Sequence, residues 1–288
     1  ICYNNREKFE KIRRKTMEKK KINIIMVLLF LISNLSFSQD VFADYKIHFD
    51  RVHLTNYVQT MNDNFKVIST EDGSLTISDS GNFKVHDSGG RHIDVILKDG
   101  VINGRYEEYY NNGNLFTLGT YVNGKKEGQW KIYAENGKLW KVYEYKNDEL
   151  NGKYISYYTN NGLESERGTY VNGLLNGEWV ENYSSGQKKI TGNYENGKRK
   201  GTFTEWYTNG VKKSSMDYNN DEVNGKVLVY YESGRLLYEA DMIGREGILK
   251  GYHLDGRLGF EGKINNNQRI GKWNFYDSLG NLYTAIEY

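Results

Sequence analysis

Residues 123–146 read NGKKEGQWKIYAENGKLWKVYEYK, and the next segment, residues 147–171, reads NDELNGKYISYYTNNGLESERGTYV and repeats the same pattern. Related units of about 24 residues recur from about residue 99 to residue 288. Repetition at a fixed period is typical of proteins in which each structural unit packs on its neighbours. The array therefore predicts the architecture of most of the chain, and it favours an extended binding surface over a catalytic pocket.

Two glycines mark each of the eight units. The second glycine follows the first by nine residues, as in Gly104 and Gly113, or by ten in the third unit. We predict that the first glycine opens a strand and that the second lies in a turn. The first glycines, which number the units from one to eight, are Gly104, Gly128, Gly152, Gly177, Gly201, Gly225, Gly247 and Gly271.

Aromatic residues recur at three positions of the unit. The position-2 row lies two residues after the first glycine, the position-5 row lies five residues after it, and the closing row lies eight residues after the second glycine. Tyr, Trp, Val and Ile favour a pleated strand, so each unit is predicted to hold two short strands. The predicted structural aromatics of the first two rows are Tyr109, Trp130, Tyr133, Tyr157, Trp179, Trp206, Tyr230, Tyr252, Trp273 and Tyr276.

Positions 2 and 5 are separated by an odd number of residues, so a regular strand would direct their side chains to opposite faces. Two alternatives follow. Either a β-bulge turns one row onto the face of the other, or both faces of the sheet carry aromatic residues. The rows could stack together as the core of the array, or one row could stay exposed and bind a ligand.

Turn signals separate the strands. Asn-Gly lies between the two strands of a unit, as at Asn112-Gly113, and also between units, as at Asn123-Gly124. This dipeptide favours a type I′ turn, which needs a positive φ at both central residues. No proline interrupts the strands. The sequence therefore predicts an all-β fold: an elongated, single-layer stack of eight antiparallel β-hairpin repeats over residues 99–288, with a β-rich N-terminal cap.

The N-terminal segment has the pattern of a secretory signal peptide over residues 17–38. A basic start, Met17 to Lys21, precedes the apolar run 22–32, and Ser36 and Ser38 place small residues before a cleavage site near Gln39. Residues 1–16, which hold the single cysteine, are interpreted as a spurious upstream extension. We therefore expect export to the periplasm, the cell surface or the medium. Residues 1–39 carry 9 Lys and Arg against 3 Asp and Glu, which leaves 30 against 34 in the remainder.

Residues 39–98 form a different segment, in which short alternating runs such as 45–54, 64–70, 74–79 and HIDVILK (92–98) predict strands. Gly81 and Gly90 keep the spacing of the two unit glycines, so a ninth, degenerate unit is a further interpretation. The segment is predicted to be a β cap over the first unit, because terminal repeats need a polar outer face. A small independent binding domain is the alternative.

The pattern G-x-W-x-x-Y-x-x-N-G-x-L with a closing G-x-Y resembles the MORN repeat in its bacterial variant, over about 190 residues. Proteins built of this variant are labelled YwqK-like antitoxin components. The resemblance implies a stack of β-hairpins and a role in protein or membrane association, and it brings no catalytic residues. An exported chain fits a cytoplasmic antitoxin poorly.

No pattern of catalytic or metal-binding residues stands out. His86 and His92 flank a turn and could meet across a hairpin, but no third ligand is near and no zinc spacing is present. His253 is interpreted as a solvated turn residue. Acidic pairs such as Glu107-Glu108 are expected on the rim of strands and turns, and the cluster Lys198-Arg199-Lys200 is expected to be solvated. We predict no catalytic residues, cofactor or metal.

The sequence therefore favours an exported repeat scaffold that binds an unidentified protein partner. Specificity would come from one equivalent position that varies between units: Leu115, Glu164, Lys188 and Lys212. A cell-envelope glycan-binding module with exposed Tyr and Trp rows is the alternative, and an enzyme with its site in residues 40–98 comes third. The acidic balance of the remainder argues against nucleic acid and disfavours membrane lipid.

Overall fold

The computed structural model describes residues 81–86, 91–99 and 101–288, which contain 19 β-strands. No helix long and apolar enough to cross a membrane occurs in these residues. The strands are β1 (Gly81–His86), β2 (His92–Lys98), β3 (Val101–Tyr109), β4 (Leu115–Val122), β5 (Lys125–Tyr133), β6 (Leu139–Lys146), β7 (Glu149–Tyr157), β8 (Glu164–Val171), β9 (Leu174–Leu175), β10 (Gly177–Asn182), β11 (Lys188–Glu195), β12 (Lys198–Trp206), β13 (Lys212–Asn219), β14 (Glu222–Tyr230), β15 (Leu236–Ile243), β16 (Glu246–Tyr252), β17 (Leu258–Asn265), β18 (Gln268–Tyr276) and β19 (Leu282–Glu287).

Consecutive strands pair antiparallel in one sheet from β1 to β19. The single interruption is at β9 and β10, which both pair with β8 as two parts of one strand. The all-β prediction of stacked hairpins is therefore confirmed. β2 forms at residues 92–98 as predicted, and with β1 it adds a hairpin ahead of residue 99. The strands predicted at 45–54, 64–70 and 74–79, the leader and Cys2 lie outside the described residues.

Two kinds of turn alternate along the sheet. Most links between units are type I′ turns, since both central residues have positive φ, as at Asn123 (50°) and Gly124 (78°). The link between β15 and β16 differs, because Gly244 has positive φ and Arg245 does not. Within a unit only the glycine has positive φ: Gly113 has 84°, whereas Asn112 does not. The prediction of type I′ turns inside the units is therefore wrong.

The turn inside a unit is a type I turn followed by a left-handed glycine. The Gly113 N–H donates to the Tyr110 carbonyl at 3.0 Å, and the Tyr110 N–H donates to the Asn114 carbonyl at 2.8 Å. The Asn112 side chain accepts the Asn114 N–H at 2.9 Å. Asparagine is thus used here for its side-chain acceptor and not for a positive φ.

The first glycine lies inside a strand, at a β-bulge. β5 begins at Lys125, three residues before Gly128, and the register between Leu118 and Thr120 of β4 skips two residues of β5. Gly128 has φ 68°, a conformation that glycine adopts at low cost. The prediction that this glycine opens a strand is therefore wrong, except at Gly177, which begins β10.

Unit seven shows why the bulge needs its glycine. Its first glycine, Gly247, follows Gly225 by 22 residues. The β15–β16 pairing has no register shift, and Gly247 has no positive φ. Where the bulge is missing, the left-handed conformation is missing as well.

Positions 2 and 5 lie on opposite faces of the sheet. Tyr106 at position 2 packs against Tyr121 and Trp130, with ring centroids 5.5 Å from each. Tyr109 at position 5 stacks on His92, 4.3 Å away, on the other face. A register shift does occur beside Tyr109, but its extra residue is in the partner strand β4. Both faces therefore carry aromatic residues. We call the position-2 side the inner face and the position-5 side the outer face.

The inner face holds the core. Position-2 and closing-row side chains alternate along it, and Trp130, Trp179 and Trp273 are buried. A continuous series of ring contacts runs from Tyr106 to Tyr218. Edge-to-face and tilted ring contacts of this kind add about 0.5–1.5 kcal/mol each beyond area burial. The units are therefore joined by the same contact repeated along the array.

In units two, four, five and eight the position-2 ring rests on a glycine of the preceding unit. A Cβ added to Gly119 would lie 2.2 Å from Trp130, and one on Gly192 would lie 2.3 Å from Phe203. Where this site is instead Met216, the next position-2 residue is the smaller Val227. Size is thus balanced at these boundaries, because a close-packed core leaves little room beside a large ring. The boundary between units two and three differs, since the Tyr154 ring packs there on the Tyr143 ring at 5.2 Å.

We predict that Gly119→Ala destabilises the protein by about 1–3 kcal/mol, because the new methyl group overlaps the Trp130 ring. The φ of Gly119 is not positive, so the backbone itself accepts alanine. Equilibrium urea unfolding measures the loss. Combining the change with Trp130→Val copies the Met216–Val227 pair and should cost less than the sum of the single changes. If the double variant loses the sum of the two single losses in unfolding free energy, the residues at 119 and 130 do not compete for the same space.

Trp179→Ala should cost about 3–5 kcal/mol, since the indole is buried between Tyr154 and Tyr194. Repeats contact only their neighbours, so hydrogen exchange should quicken most in units three to five and least in units one and eight. A uniform increase over the whole array, or no increase, would refute the nearest-neighbour model.

Candidate binding surface on the outer face

The position-5 row forms a line of rings along the outer face. Successive members are two strands apart, which places them about 10 Å from one another. Their side chains are half-buried, in contrast to the buried tryptophans of position 2. Unit four is the exception, with the buried Asn182. The row is therefore the accessible aromatic surface, and it contains Tyr109, Tyr133, Tyr157, Trp206, Tyr230, Tyr252 and Tyr276.

The variable position that the sequence singled out lies directly opposite this row. Tyr109 pairs in register with Leu115, Tyr157 with Glu164, and the remaining units follow the same rule. We call these paired residues the outer track. From unit one to unit eight the partners of the position-5 residues are Leu115, Leu139, Glu164, Lys188, Lys212, Leu236, Leu258 and Leu282.

Several rings of the outer track are held in place. The Tyr252 hydroxyl donates to Glu239 at 2.5 Å, and the Tyr276 hydroxyl donates to Glu261 at 2.8 Å. Desolvation, followed by the bond to Glu239, raises the pKa of Tyr252 to about 12. Rings fixed before binding lose little conformational entropy when a partner docks.

A ladder of hydrogen bonds fixes the backbone under the track. Tyrosines six residues after the first glycine donate to the carbonyl of the next unit's position-5 residue, as Tyr110 does to Tyr133 at 2.9 Å. Unit two, with Ala134, has no such tyrosine. The sequence alone does not distinguish these residues from the adjacent position-5 tyrosines, although Tyr recurs there in five units. The donors are Tyr110, Tyr158, Tyr183, Tyr207 and Tyr231, and the His253 ring nitrogen lies 3.3 Å from the Tyr276 carbonyl.

The other candidates from the sequence are engaged in the fold. His253 is half-buried in this ladder, so the interpretation as a solvated residue is wrong. The His92 ring is stacked on Tyr109, and the side chain of His86 lies outside the described residues. In the described part of the chain no group of three or more metal-binding side chains is present.

Charged pairs and clusters also differ from expectation. Glu108 is buried on the inner face and accepts a hydrogen bond from Tyr106 at 3.3 Å, so it does not lie on the rim. Arg199 lies over the Tyr218 ring at 4.2 Å and bonds to Asp221. The prediction of a solvated basic cluster is therefore wrong for Arg199, which supports packing between units.

The inner face is closed to ligands. Burial is the main cause that raises the pKa of Tyr121, Tyr194 and Tyr238 to about 12, and it raises that of Tyr106 and Tyr154 further. These phenols are buried on the inner face, where desolvation disfavours their charged form. A ligand that stacks on aromatic rings would therefore have to use the outer track.

A comparison with known protein families finds the same repeat as the sequence pattern. The model described as "MORN repeat variant" matches five tandem segments, residues 102–123, 126–147, 150–172, 175–196 and 199–220. Each match begins two residues before the first glycine of units one to five. The resemblance to this repeat is thus confirmed for those units. No curated protein matches the chain. MORN repeats in general are interaction scaffolds for proteins or membranes.

The buried tyrosines predict an alkaline unfolding transition. Unfolded tyrosine has a pKa near 10, whereas Tyr121, Tyr194 and Tyr238 have about 12 in the fold. A raised folded pKa means that the unfolded chain loses its protons first as the pH rises. Their contribution to stability is therefore complete below about pH 10 and is lost between about pH 10 and 12.

Circular dichroism and tyrosinate absorbance, followed through this range, measure unfolding and ionisation together. We expect the two signals of the buried tyrosines to change at the same pH. Full ionisation of all tyrosines while the sheet remains intact would contradict the burial of this row.

Proposed function

We propose that the chain is an exported, non-catalytic repeat scaffold that binds another protein through the outer track. The observation that carries the proposal is the line of half-exposed tyrosines paired with leucines, on a sheet whose backbone is tied from unit to unit. Tyrosine is enriched at protein interfaces because it buries a large apolar ring and keeps a polar hydroxyl. Export is supported by the signal-peptide pattern at residues 17–38.

The charge of the chain and its N-terminal pattern also support a protein partner in the envelope. The remainder of the chain after residue 39 has an acidic balance, which disfavours nucleic acid and anionic lipid as general partners. The YwqK-like antitoxin label rests on resemblance alone, and a leader favours a partner in the envelope over a cytoplasmic toxin.

A cell-envelope glycan is the second candidate. Trp206 is the only position-5 tryptophan, and it is half-exposed on the outer face, where an indole can stack on a sugar ring. The other position-2 and position-5 tryptophans, Trp130, Trp179 and Trp273, are buried. A glycan site would therefore depend mainly on tyrosines.

Capture from an envelope extract with the full chain as bait tests the proposal. We expect one stoichiometric protein, and we expect Tyr133→Ala with Tyr230→Ala to weaken its binding by about tenfold or more, as for interface hot spots. Tyr283→Ala is the control, because this tyrosine is 51% exposed and is neither a position-5 residue nor the register partner of one. Its binding should equal that of the unchanged chain.

Thermal unfolding of each variant verifies that the fold survives. Enrichment of glycan alone, released by free sugar, would replace the protein-binding proposal by the second candidate. Equal losses for the track variant and for Tyr283→Ala would show that the outer track is not the interface.

A further inference from the structure

The outer track changes character in its middle. In units four and five the partners of the position-5 residues are Lys188 and Lys212, whereas the other units carry Leu or Glu there. Both lysines are exposed. The track is thus apolar at its two ends and basic between them.

The adjacent lysines on the same strands are neutralised, which makes the two track lysines distinct. Lys189 forms an ion pair with Glu181, and Lys213 forms one with Glu205, N to O 2.6 Å. Within residues 81–86, 91–99 and 101–288, neither Lys188 nor Lys212 has a carboxylate within ion-pair distance.

The nearest acidic residue of the track is also engaged. Glu164 bonds to Arg167 at 2.9 Å, and the same guanidinium reaches Glu178 at 3.3 Å. Both carboxylates are directed at Arg167, and neither lies within ion-pair distance of Lys188 or Lys212. The middle of the track offers two free cations to a partner.

Trp206 lies between these cations. It ends β12, and Lys188 and Lys212 begin the strands on its two sides, β11 and β13. Trp206 and Lys212 are register partners. Adjacent strands are about 4.8 Å apart, so the two ammonium groups extend from points about 10 Å apart with an indole between them.

Small hydroxyl side chains lie beside the indole. Thr191, Thr204 and Ser215 are successive register partners on the outer face. In units one and seven the equivalent sites carry larger side chains, such as Leu118 and Lys250. The surface next to Trp206 is therefore recessed and rich in hydrogen-bond donors and acceptors.

We propose that Lys188, Trp206 and Lys212 form a binding site for an acidic, extended segment of a protein partner. Two carboxylates of the segment pair with the lysines, an apolar side chain between them packs on Trp206, and the hydroxyl groups bind its backbone. The inference rests on the proposed function, since it names the chemistry of the partner that the outer track binds.

Charge complementarity favours a peptide over an anionic bilayer. A flat membrane would also meet a more distant row of the outer face, in which Glu144, Asp217 and Asp241 lie beside Lys153 and Lys226, so that this row offers little net positive charge to lipid. A narrow segment that follows the track reaches the two lysines without approaching those carboxylates. The site is therefore matched to a chain about one strand wide.

Binding of two synthetic peptides to the full chain tests the site. One is a decapeptide that carries Glu, Leu and Glu at every second position with Ser between them, so that all three side chains face one side of an extended chain, and the other has Gln in place of Glu. We expect the Glu peptide to bind at least about tenfold more tightly at low salt, and its affinity to fall as salt screens the charges. Lys188→Glu with Lys212→Glu should abolish this preference, and Trp206→Ala should weaken binding.

Lys153→Glu with Lys226→Glu is the matched control. These lysines are exposed on the same face, away from Trp206, and the change in net charge is the same. The control should keep the preference for the Glu peptide. If both double variants lose the preference equally, it comes from the overall charge of the chain and the proposed site is wrong. Equal affinity of the unchanged chain for the Glu and Gln peptides would also overturn the site.

Two further measurements separate this inference from the proposed function. The first is binding to vesicles that contain anionic lipid. If the unchanged chain binds these vesicles but not the Glu peptide, and Lys188→Glu with Lys212→Glu abolishes vesicle binding, the site binds a membrane and the peptide proposal is wrong. If an envelope protein is captured equally by the unchanged chain and by this double variant, the site fails while the protein-binding function stands. If the unchanged chain captures no protein, the proposed function itself fails.

Discussion

The whole array depends on one contact, in which the position-2 side chain of a unit packs against the facing strand of the unit before it. Trp130 over Gly119, Phe203 over Gly192 and Trp273 over Gly262 are the clearest cases, since a single added methyl group would overlap each ring. A two-stranded hairpin alone is marginal in water and cannot bury such a ring. Stability therefore arises at the boundaries between units and not within them.

This constraint explains why the two faces serve different purposes. The inner face holds the rings that join the units, and the burial of these rings keeps them from contact with a partner. The outer face is free to vary, because its side chains do not set the spacing of the units. Variation at the partners of the position-5 residues, from Leu115 to Lys188, changes the chemistry of the surface while the sheet stays the same.

Hydrogen bonds at both ends of the hairpins fix the backbone under the outer track. At the turns inside the units, tyrosines such as Tyr158 reach the next unit's carbonyl, and at the links a carboxylate such as Asp148 accepts the Lys126 N–H at 2.7 Å. Such bonds cross between units, as the ring contacts do. The track is therefore a row of binding positions whose spacing is set before any partner arrives.

The sequence by itself determined the period, the two strands in each unit, the all-β fold and the position at which the surface varies. These follow from local preferences, because Tyr, Trp and Val favour strands and Asn-Gly favours turns in every copy. It also placed Tyr109 and Trp130 among the repeat aromatics. It could not assign them to faces, since one odd spacing fitted two arrangements.

Only the tertiary structure decided which rings are buried, where the bulge lies and which turn each Asn-Gly forms. Asn112-Gly113 and Asn123-Gly124 share a dipeptide, but the first closes a loop with its own hydrogen bonds and the second is a two-residue link. Gly128 is needed for a bulge that exists only when β5 pairs with the preceding unit. The physical reason is common to all three: burial and register are properties of neighbouring units in contact, and no unit contains that information alone.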